Sequence, residues 1–453
     1  MSTRRGALTS NLLGSDDLVL RRPLAHSAAK PRRVELKRKL IESYRSVAGD
    51  EIVAEVRGLA SDLRGLRVLE VSSTATGGGV AEMLSSLVPL ERDLGLDAEW
   101  RVVGGDRWFF EITKKIHNGL QGMAVELTDE ERQEYLRHNE ATAEAIEDDW
   151  DVIIVHDPQP AAARSFLSGS TCPWVWRCHI DSSEPYPPAW AFLRPFVELH
   201  DRAVFTLASF EPGDLAAPTS ELVPAIDPLT SKNRELPAYL ARETVAELGV
   251  DLSRPLLLQV SRFDPWKDPL GVVEVWRRAH DVFPDVQLAL VGSMATDDPE
   301  GWRVYQQIEE VTREEPGCFL FTDQMGVANH EVNAFQRVAD VVIQKSTREG
   351  FGLVVSEALW KGTPIVAGRA GGIPLQLEHG ISGFLAGSFD EFAAHVVELL
   401  EHPLLAREFG AAGIRRVRER FLIPRLLRDT LRLIGEVVNT PRRTASAAIP
   451  SQP

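Results

Sequence analysis

Two glutamates eight positions apart, Glu349 and Glu357, mark the stretch of this sequence with the clearest capacity for chemistry. Gly350, Phe351 and Gly352 follow the first of them, and an apolar run leads to the second. A carboxylate can accept hydrogen bonds from both hydroxyls of a vicinal diol, which is how sugars and riboses are commonly held. One carboxylate for a sugar and one for a ribose would suit a nucleotide-sugar. Taken alone, the pair could equally be two solvated glutamates at a surface turn.

The residues around this pair predict a turn that leads from a strand into a helix. Residues 340–344 are typical of a short buried strand, and residues 354–361 have helical spacing that ends before Gly362 and Pro364. Such a turn presents unpaired backbone N–H groups and the positive end of the helix dipole, and both suit an anion. The sequence therefore predicts a phosphate site between the two carboxylates, lined by the backbone of residues 350–353.

Composition and charge narrow the class of protein. The chain of 453 residues is 44% hydrophobic and 26% charged, which is ordinary for a soluble globular protein of two or three domains. A net charge of −16 argues against a broad surface for nucleic acid or anionic membranes. A local basic pocket for a phosphorylated substrate remains compatible with that charge. We therefore expect small-molecule partners, no nucleic acid and no membrane.

Cysteine usage and the N-terminus predict a cytoplasmic protein. Cys172, Cys178 and Cys318 have neither the number nor the spacing of a disulfide framework or a metal site. No apolar run approaches the roughly 18 residues that are needed to span a bilayer. Arg4 and Arg5 are not followed by the apolar segment of a signal peptide.

Strands and helices alternate along the chain, which predicts α/β domains with parallel sheets. The pattern restarts after a polar, proline-containing segment at 223–233, which we interpret as a hinge between two Rossmann-like domains. Ligands of such sheets lie at the carboxyl ends of the strands, here in a cleft between the domains. A charged segment at 34–59 has helix-like spacing. The predicted parts are an N-terminal arm at 1–33, a first domain at 34–223, a second domain at 224–423 and a polar tail at 441–453.

A second glycine-rich turn, Gly77-Gly78-Gly79, follows the first predicted strand and opens a helix. Glycines at such a place let a ligand approach the backbone and its N–H groups. The chain also reads G-x-G-x-x-E from Gly77, with Asp97 at about the distance of the ribose-binding acid of dinucleotide folds. This pattern defines an alternative from another class, a nicotinamide-dependent oxidoreductase or other nucleotide-binding protein. The missing third glycine weakens it, and a tight turn without a ligand is the simpler alternative.

The segment E-G-F-G-L-V-V-S-E, from Glu349 to Glu357, resembles the E-x7-E motif of retaining glycosyltransferases of the GT-B architecture. That architecture has two Rossmann-like domains facing each other across a cleft, as the alternation of elements also predicts. The resemblance implies that the last helix, at 424–440, crosses back to the first domain. It also implies that the first domain binds the acceptor and the second binds the nucleotide-sugar donor.

Segments around Gly79, Lys115 and Arg348 narrow the resemblance to the trehalose glycosyltransferring synthases, and the similarity spans residues 34–438. These enzymes form trehalose from a nucleotide diphosphate glucose and free glucose. The resemblance therefore implies UDP-, ADP- or GDP-glucose as donor, retention of configuration and no cofactor for the chemistry. Fungal-type trehalose phosphorylases, which use glucose 1-phosphate, belong to the same group and are the second candidate. We also expect a homodimer.

The resemblance assigns roles on the donor side. Arg262 and Lys267, in the segment S-R-F-D-P-W-K-D, resemble the R-x4-K pair that holds the donor diphosphate. Two fixed cations there would stabilise the charge that develops on the leaving oxygen. Simple ion pairs of Arg262 with Asp264 and of Lys267 with Asp268 are the alternative. The implied donor-binding residues are Gly78, Gly79, Arg262, Lys267, Glu349, Gly350, Phe351, Gly352, Leu353 and, for the ribose, Glu357.

His179 ends the predicted strand W-V-W-R-C, and in the family a histidine at this place contacts the donor sugar and helps to assemble the acceptor side. The implied catalytic residues are His179, Arg262, Lys267 and Glu349. For the acceptor we name Lys115, Asn118 and Asp157. His156 ends the preceding strand in the same way as His179, and we interpret it as structural. The pattern Asp149-Trp150-Asp151 precedes a strand rather than follows one, so we interpret it as a solvated turn and predict no metal site.

Overall fold

The computed structural model describes residues 30–440 except 148, 168 and 294–298, so the tail at 441–453 and most of the arm at 1–33 lie outside the described residues. The described strands form two separate sheets, one of seven strands and one of six. Several strands of both sheets, such as V-I-I-V-H at 152–156 and L-L-L-Q-V at 256–260, are buried along their whole length. Fully buried parallel strands require helices on both faces of the sheet.

The first sheet belongs to the N-terminal half. Its strands are β1 (Arg32–Arg33), β2 (Arg67–Ser72), β3 (Asp97–Val102), β4 (Val152–His156), β5 (Trp174–Cys178), β6 (Arg202–Phe205) and β7 (Thr219–Glu221). Their spatial order is β1-β3-β2-β4-β5-β6-β7, and all neighbours are parallel except β1, which is antiparallel to β3. The helices of this half are α1 (Arg45–Ala48), α2 (Asp50–Ser61), α3 (Gly79–Asp93), α4 (Arg107–Leu120), α5 (Asp129–Glu144) and α6 (Pro187–Val197).

The second sheet belongs to the C-terminal half and is entirely parallel. Its strands are β8 (Leu256–Val260), β9 (Gln287–Gly292), β10 (Cys318–Thr322), β11 (Val341–Gln344), β12 (Ile365–Gly368) and β13 (Phe384–Ala386), in the order β10-β9-β8-β11-β12-β13. The helices are α7 (Ala238–Glu247), α8 (Pro269–His280), α9 (Pro299–Thr312), α10 (Asn329–Val338), α11 (Leu353–Trp360), α12 (Ile373–Gln376), α13 (Phe389–Glu401), α14 (Pro403–Arg420) and α15 (Ile423–Asn439). Short 3-10 helices are Ile41–Tyr44, Ala163–Phe166, Ala208–Phe210, Pro265–Lys267 and Asp323–Met325.

Helix α15 returns to the first domain, as expected from the resemblance. Its buried face, which includes Leu427, Leu431 and Ile434, packs in one core cluster with α2 and α3. The chain crosses between the domains twice, and the two crossings are hydrogen-bonded to each other. The amide of Ile226 donates to the carbonyl of Phe421 at 2.8 Å, and the amide of Ile423 donates back to Ile226 at 2.9 Å. The two crossings are therefore paired at one end of the predicted hinge segment.

The predicted helix at 34–59 is wrong in its first part. Residues 34–40 are not helical, and the amide of Val34 donates to Trp100 at the sheet edge. Gly49, with a φ of 97°, then separates α1 from α2. A positive φ breaks a helix, and only glycine adopts it readily. The last two residues of the predicted N-terminal arm, Arg32 and Arg33, form a strand that pairs with β3.

Candidate active site

Glu349 and Lys267 meet at the carboxyl edge of the second sheet. The Lys267 Nζ donates to Glu349 Oε2 at 2.5 Å, and the Ser346 hydroxyl donates to the same oxygen at 3.1 Å. Both carboxylate and ammonium are largely buried. The alternative pairing of Lys267 with Asp268 is not observed, because Asp268 pairs with Lys345 and caps α8. The structure therefore joins two of the implied catalytic residues in one ion pair.

Arg262 follows β8 and keeps a largely accessible head group. Its Nη2 lies 3.4 Å from Asp264 Oδ2, and 44% of the side chain is exposed. This contact is the ion pair that the alternative interpretation proposed. Asp264 also caps the 3-10 helix Pro265–Lys267, because its Oδ1 accepts from the Trp266 amide at 2.9 Å. An exposed guanidinium with one long contact can still bind an incoming phosphate, because it has five N–H donors.

The turn at 350–353 offers backbone donors. Gly352, with a φ of 81°, caps α11, and among the described residues the amides of 350–353 have no hydrogen-bond partner. Free amides at a helix N-terminus are suited to a negatively charged or hydroxyl-rich ligand. The ring of Phe351 is buried against Phe421, with ring centroids 5.7 Å apart. Only the backbone of Phe351 is therefore available to a donor.

The second glycine turn lies directly opposite this one. Helix α3 begins at Gly79, and a Cβ atom placed on Gly79 would lie 3.1 Å from Cδ1 of Leu353 at the start of α11. Gly78 is extended, and a Cβ there would meet nothing within 4 Å. The N-terminal ends of two helices, one from each domain, thus converge, and both belong to the donor-binding residues that the resemblance implies. Two converging helix N-termini make a favourable place for a diphosphate.

Glu357 lies deeper than a simple ribose contact would require. Its side chain is completely buried, with Oε1 2.8 Å from Lys232 Nζ and Oε2 3.5 Å from the Gln336 side-chain amide. Oε1 is buried and has no partner besides Lys232 among the described residues. Lys232 also reaches Glu82 on α3 at 3.1 Å. Lys232, which lies in the predicted hinge, therefore connects Glu82 of the first domain with Glu357, the residue predicted to bind the ribose.

We expect Lys232→Met to lower the stability of the protein by about 3 kcal/mol, because Glu357 is then buried without its counter-ion. For a domain of some 200 residues this corresponds to roughly 6–12 °C in Tm, which scanning calorimetry measures. The control is Arg278→Met, which removes surface ion pairs with Glu274 and Asp390. Such pairs contribute little. Equal shifts of Tm in the two variants would contradict the structural role of Lys232.

His179 of the first domain touches the glycine turn of the second. A Cβ atom on Gly350 would lie 2.2 Å from the carbonyl oxygen of His179. The His179 amide donates to Asp157 Oδ1 at 2.8 Å, and Asp157 has an unusual positive φ of 60°. Burial raises the pKa of Asp157 to about 6. The predicted acceptor residue Asp157 thus holds the backbone of His179, and direct contact with an acceptor stays a prediction.

Helix α4 brings residues to the cleft, although Lys115 is not placed as expected. Its ammonium pairs with Glu131 of α5 at 2.5 Å, within the same domain. Lys114 instead lies 3.9 Å from Asp264 of the second domain. Successive residues of a helix point about 100° apart, so the neighbour of Lys115 faces the cleft. Binding of an acceptor by Lys115 is therefore less well supported than binding by Lys114.

His117 and Asn118 share the face of Lys114, at three and four positions along the helix. The pKa of His117 is lowered to about 3 by burial and by the positive charges of Lys114, Arg262 and Lys267, so His117 is neutral beside the cations. In the described part of the chain, no partner satisfies the buried Oδ1 of Asn118. The i, i+3, i+4 spacing of three polar residues was a signal in the sequence that could have identified this face.

Three side chains that could ligate a metal, Asp106, Glu134 and His138, have ligand atoms within 4.8 Å of one another. Each has another explanation. Asp106 caps α4 by accepting from Phe109, and Glu134 pairs with both Arg137 and His138. A guanidinium on the same carboxylate disfavours a cation there. The sequence did not anticipate this cluster.

The oxidoreductase alternative fails on the position of Asp97. Asp97 begins β3 and pairs with Arg67, which begins β2, at 3.6 Å. Both residues therefore lie at the amino ends of their strands, whereas Gly78 and Gly79 follow the carboxyl end of β2. An acid that binds a cofactor ribose must lie at the same edge as the glycine turn.

Comparisons with known proteins agree with this geometry. Residues 70–212 match the family model described as "Trehalose synthase, N-terminal domain", and residues 241–416 match "Glycosyl transferases group 1". The chain is 49% identical over 412 residues to a trehalose synthase of Rubrobacter xylanophilus, covering 90% of this chain and 99% of that protein. The chain belongs to the trehalose synthase family. A trehalose phosphorylase of Pleurotus pulmonarius is more distant, at 30% identity over 82% of this chain and 57% of that protein.

The fold of this trehalose synthase family member is that of GT-B glycosyltransferases. The structure of an α,α-trehalose-phosphate synthase from Burkholderia xenovorans superimposes with a TM-score of 0.65 at 16% identity, covering 82% of this chain and all of that one. The predicted fold class, with its two facing parallel-sheet domains, is thereby confirmed, and the family makes the chain a glycosyltransferase. The roles of individual site residues and the exact domain boundaries remain predictions.

Proposed function

We propose that this protein is a retaining glucosyltransferase that forms trehalose from a nucleotide diphosphate glucose and free glucose. The observation that carries the proposal is the cluster of Arg262, the Lys267–Glu349 ion pair and the free amides at 350–353, facing His179 of the other domain. Its charge suits a diphosphate, and its donors and acceptors suit a sugar. A relative named trehalose synthase at 49% identity supports the product.

On the donor side, the diphosphate lies between Arg262, Lys267 and the helix N-termini at Gly79 and Leu353. These groups stabilise the negative charge that grows on the phosphate oxygen as the glycosidic bond breaks. The carboxylate of Glu349 and the amides that follow it hold the glucose hydroxyls. Glu357, which is buried against Lys232, is the carboxylate that we propose for the ribose.

On the acceptor side, the hydroxyl of free glucose attacks C1 from the face that the diphosphate leaves, and a departing phosphate oxygen takes its proton. This course retains the configuration and needs no carboxylate nucleophile. Glu349 is poorly placed for that role because Lys267 and Ser346 both donate to it. Lys114 and Asn118 on α4 are the acceptor contacts that the geometry favours, and closure about the hinge excludes water.

Product analysis by proton NMR tests the proposal. The protein is incubated with glucose and UDP-, ADP- or GDP-glucose in turn, each with and without EDTA, and then with glucose and glucose 1-phosphate. We expect a symmetric α,α-linked disaccharide, and its yield from each nucleotide-sugar ranks the three donors. The yield should be the same with and without EDTA, because cations of the protein stabilise the leaving group. The control is Arg262→Ala, which should form little product. Trehalose obtained only from glucose 1-phosphate would identify a phosphorylase, and no disaccharide from any donor would contradict both.

The proposal includes a cytoplasmic homodimer. Cys172, Cys178 and Cys318 form no disulfide, as suits a reducing compartment. Light scattering of the purified protein measures the oligomeric state, and a monomer would remove that part of the proposal without affecting the chemistry.

A further inference from the structure

A hydrogen-bonded chain of three side chains runs from the core of the first domain to the cleft. Glu70 Oε2 lies 2.6 Å from His156 Nε2, and His156 Nδ1 lies 2.9 Å from His179 Nε2. Glu70 and His156 are each only 1% exposed, whereas His179 is half-buried beside Gly350. The three residues come from β2, β4 and the end of β5, which are neighbouring strands. Their order in space is therefore fixed by the sheet.

A chain of this kind has two self-consistent arrangements of protons. A neutral imidazole donates from one ring nitrogen and accepts at the other. When Glu70 is protonated, it donates to His156, His156 donates to His179, and the outer Nδ1 of His179 carries a proton. When Glu70 is ionised, each hydrogen bond reverses, and the outer Nδ1 becomes an acceptor. One proton on Glu70 thus decides how His179 meets a ligand.

The surroundings keep both imidazoles neutral. Burial lowers the pKa of His156 to about 3, with the charge of Arg177 acting in the same direction, and it lowers the pKa of His179. Burial also raises the pKa of Glu70 to about 8, against the opposing charge of Arg177. The charged groups around the chain are Arg177 on β5, Glu91 on α3, Asp157 after β4 and, next to Arg177, Arg425 on α15.

We propose that Glu70 and His156 are positioning residues that set the outer nitrogen of His179 as a hydrogen-bond donor when Glu70 is protonated and as an acceptor when it is ionised. The donor form suits a sugar hydroxyl oxygen at the place where the family's histidine contacts the donor sugar. This inference rests on the proposed function only for its effect on activity. The switch itself is a property of the ligand-free protein.

A buried histidine needs a hydrogen-bond partner on each ring nitrogen, and His156 has both. What a structural role alone does not require is that the second partner, His179, is half-buried beside the second domain. The rings of the two histidines are nearly parallel, with an interplanar angle of 13°. The sequence interpretation of His156 as structural therefore misses its connection to His179, since Glu70 lies 86 positions away in the chain.

The first test measures the tautomers of the two histidines. It uses ¹⁵N NMR of the full-length protein labelled at its histidine rings. His156→Gln and His179→Gln assign the signals. In the wild type we expect both rings to carry their proton on Nδ1 below about pH 8 and on Nε2 above it. Glu70→Gln should abolish this exchange. Tautomers that stay the same from pH 6 to about 10, or an exchange that persists in Glu70→Gln, would overturn the proposal.

The second test is the pH dependence of kcat/KM for trehalose formation. One unit above the pKa of Glu70 the donor form falls to about a tenth, so the wild type should lose about tenfold between pH 7 and 9. Glu70→Gln should remove this alkaline decline. His156→Gln should also remove it and serves as the test if Glu70→Gln folds poorly. The control is His200→Gln, a buried histidine that bonds only backbone carbonyls and should keep the decline. A pH profile of kcat/KM that is unchanged in both Glu70→Gln and His156→Gln would contradict the proposal.

The two tests separate the inference from the proposed function. If wild-type protein forms no disaccharide, the proposed function fails, and the NMR titration still decides whether the switch exists. If disaccharide forms and the titration shows no exchange, the switch fails alone.

Discussion

Lys267→Ala is expected to lower kcat for trehalose formation by about 10²–10³-fold, the usual effect of removing one fixed donor from a developing oxyanion. The ammonium of Lys267 is held at 2.5 Å from Glu349 and is largely shielded from water. A cation fixed in this way needs no reorganisation when the diphosphate leaves, so it stabilises the transition state more than the bound substrate. We therefore expect kcat to fall far more than the KM for the donor rises. Steady-state kinetics with the preferred donor measure both.

The same substitution leaves Glu349 with Ser346 as its remaining partner, so a loss of stability has to be distinguished from a loss of chemistry. Lys267→Met keeps the aliphatic stem and should show the same kcat defect with a smaller change in Tm. Arg278→Ala, which removes a surface cation far along α8, is the control and should leave kcat unchanged. A variant of Lys267 that keeps more than about a tenth of wild-type kcat would disprove its role at the leaving group.

The features predictable from the sequence are those that are local in the chain. The glycine turn at 350–352 lies between a buried strand and a helix, and its backbone donors follow from that order alone. The alternation of elements likewise predicts two parallel sheets and places residue 262 after a strand. These inferences depend on residues within about one turn or one strand of each other, where propensity and spacing are informative.

Contacts between distant segments were not predictable in this way. Lys232 appeared as one polar residue of the hinge, and only the packing of α3 against α11 places it between Glu82 and Glu357. Glu70 reads as one acidic residue inside a hydrophobic strand, and its partner His156 becomes apparent only when β2 and β4 lie side by side. The sequence named Lys115 and not Lys114, because the direction that each residue of α4 takes relative to the cleft is set by tertiary packing.

The second large effect is expected from a substitution of Gly350, because this residue contacts His179 where the two domains meet. A Cβ atom on Gly350 would lie 2.2 Å from the backbone oxygen of His179 and would meet nothing within its own domain apart from its chain neighbours. The backbone oxygen at the end of β5 cannot move aside as a flexible side chain could. Gly350→Ala should therefore hold the two domains apart at the point where we propose that Glu349 binds the sugar.

We expect Gly350→Ala to lower kcat by about 10²-fold or more, because a displacement of about 1 Å at the reacting atoms has that effect, while Tm changes little. Gly371→Ala provides the contrast: its Cβ would lie 1.6 Å from the Glu349 carbonyl oxygen inside the second domain, and its φ is 51°. That variant should lose stability as well as activity. Gly58→Ala, in an open position on α2, should lose neither. A fall in Tm for Gly350→Ala as large as that for Gly371→Ala would mean that Gly350 serves the folding of its domain rather than the closure of the cleft.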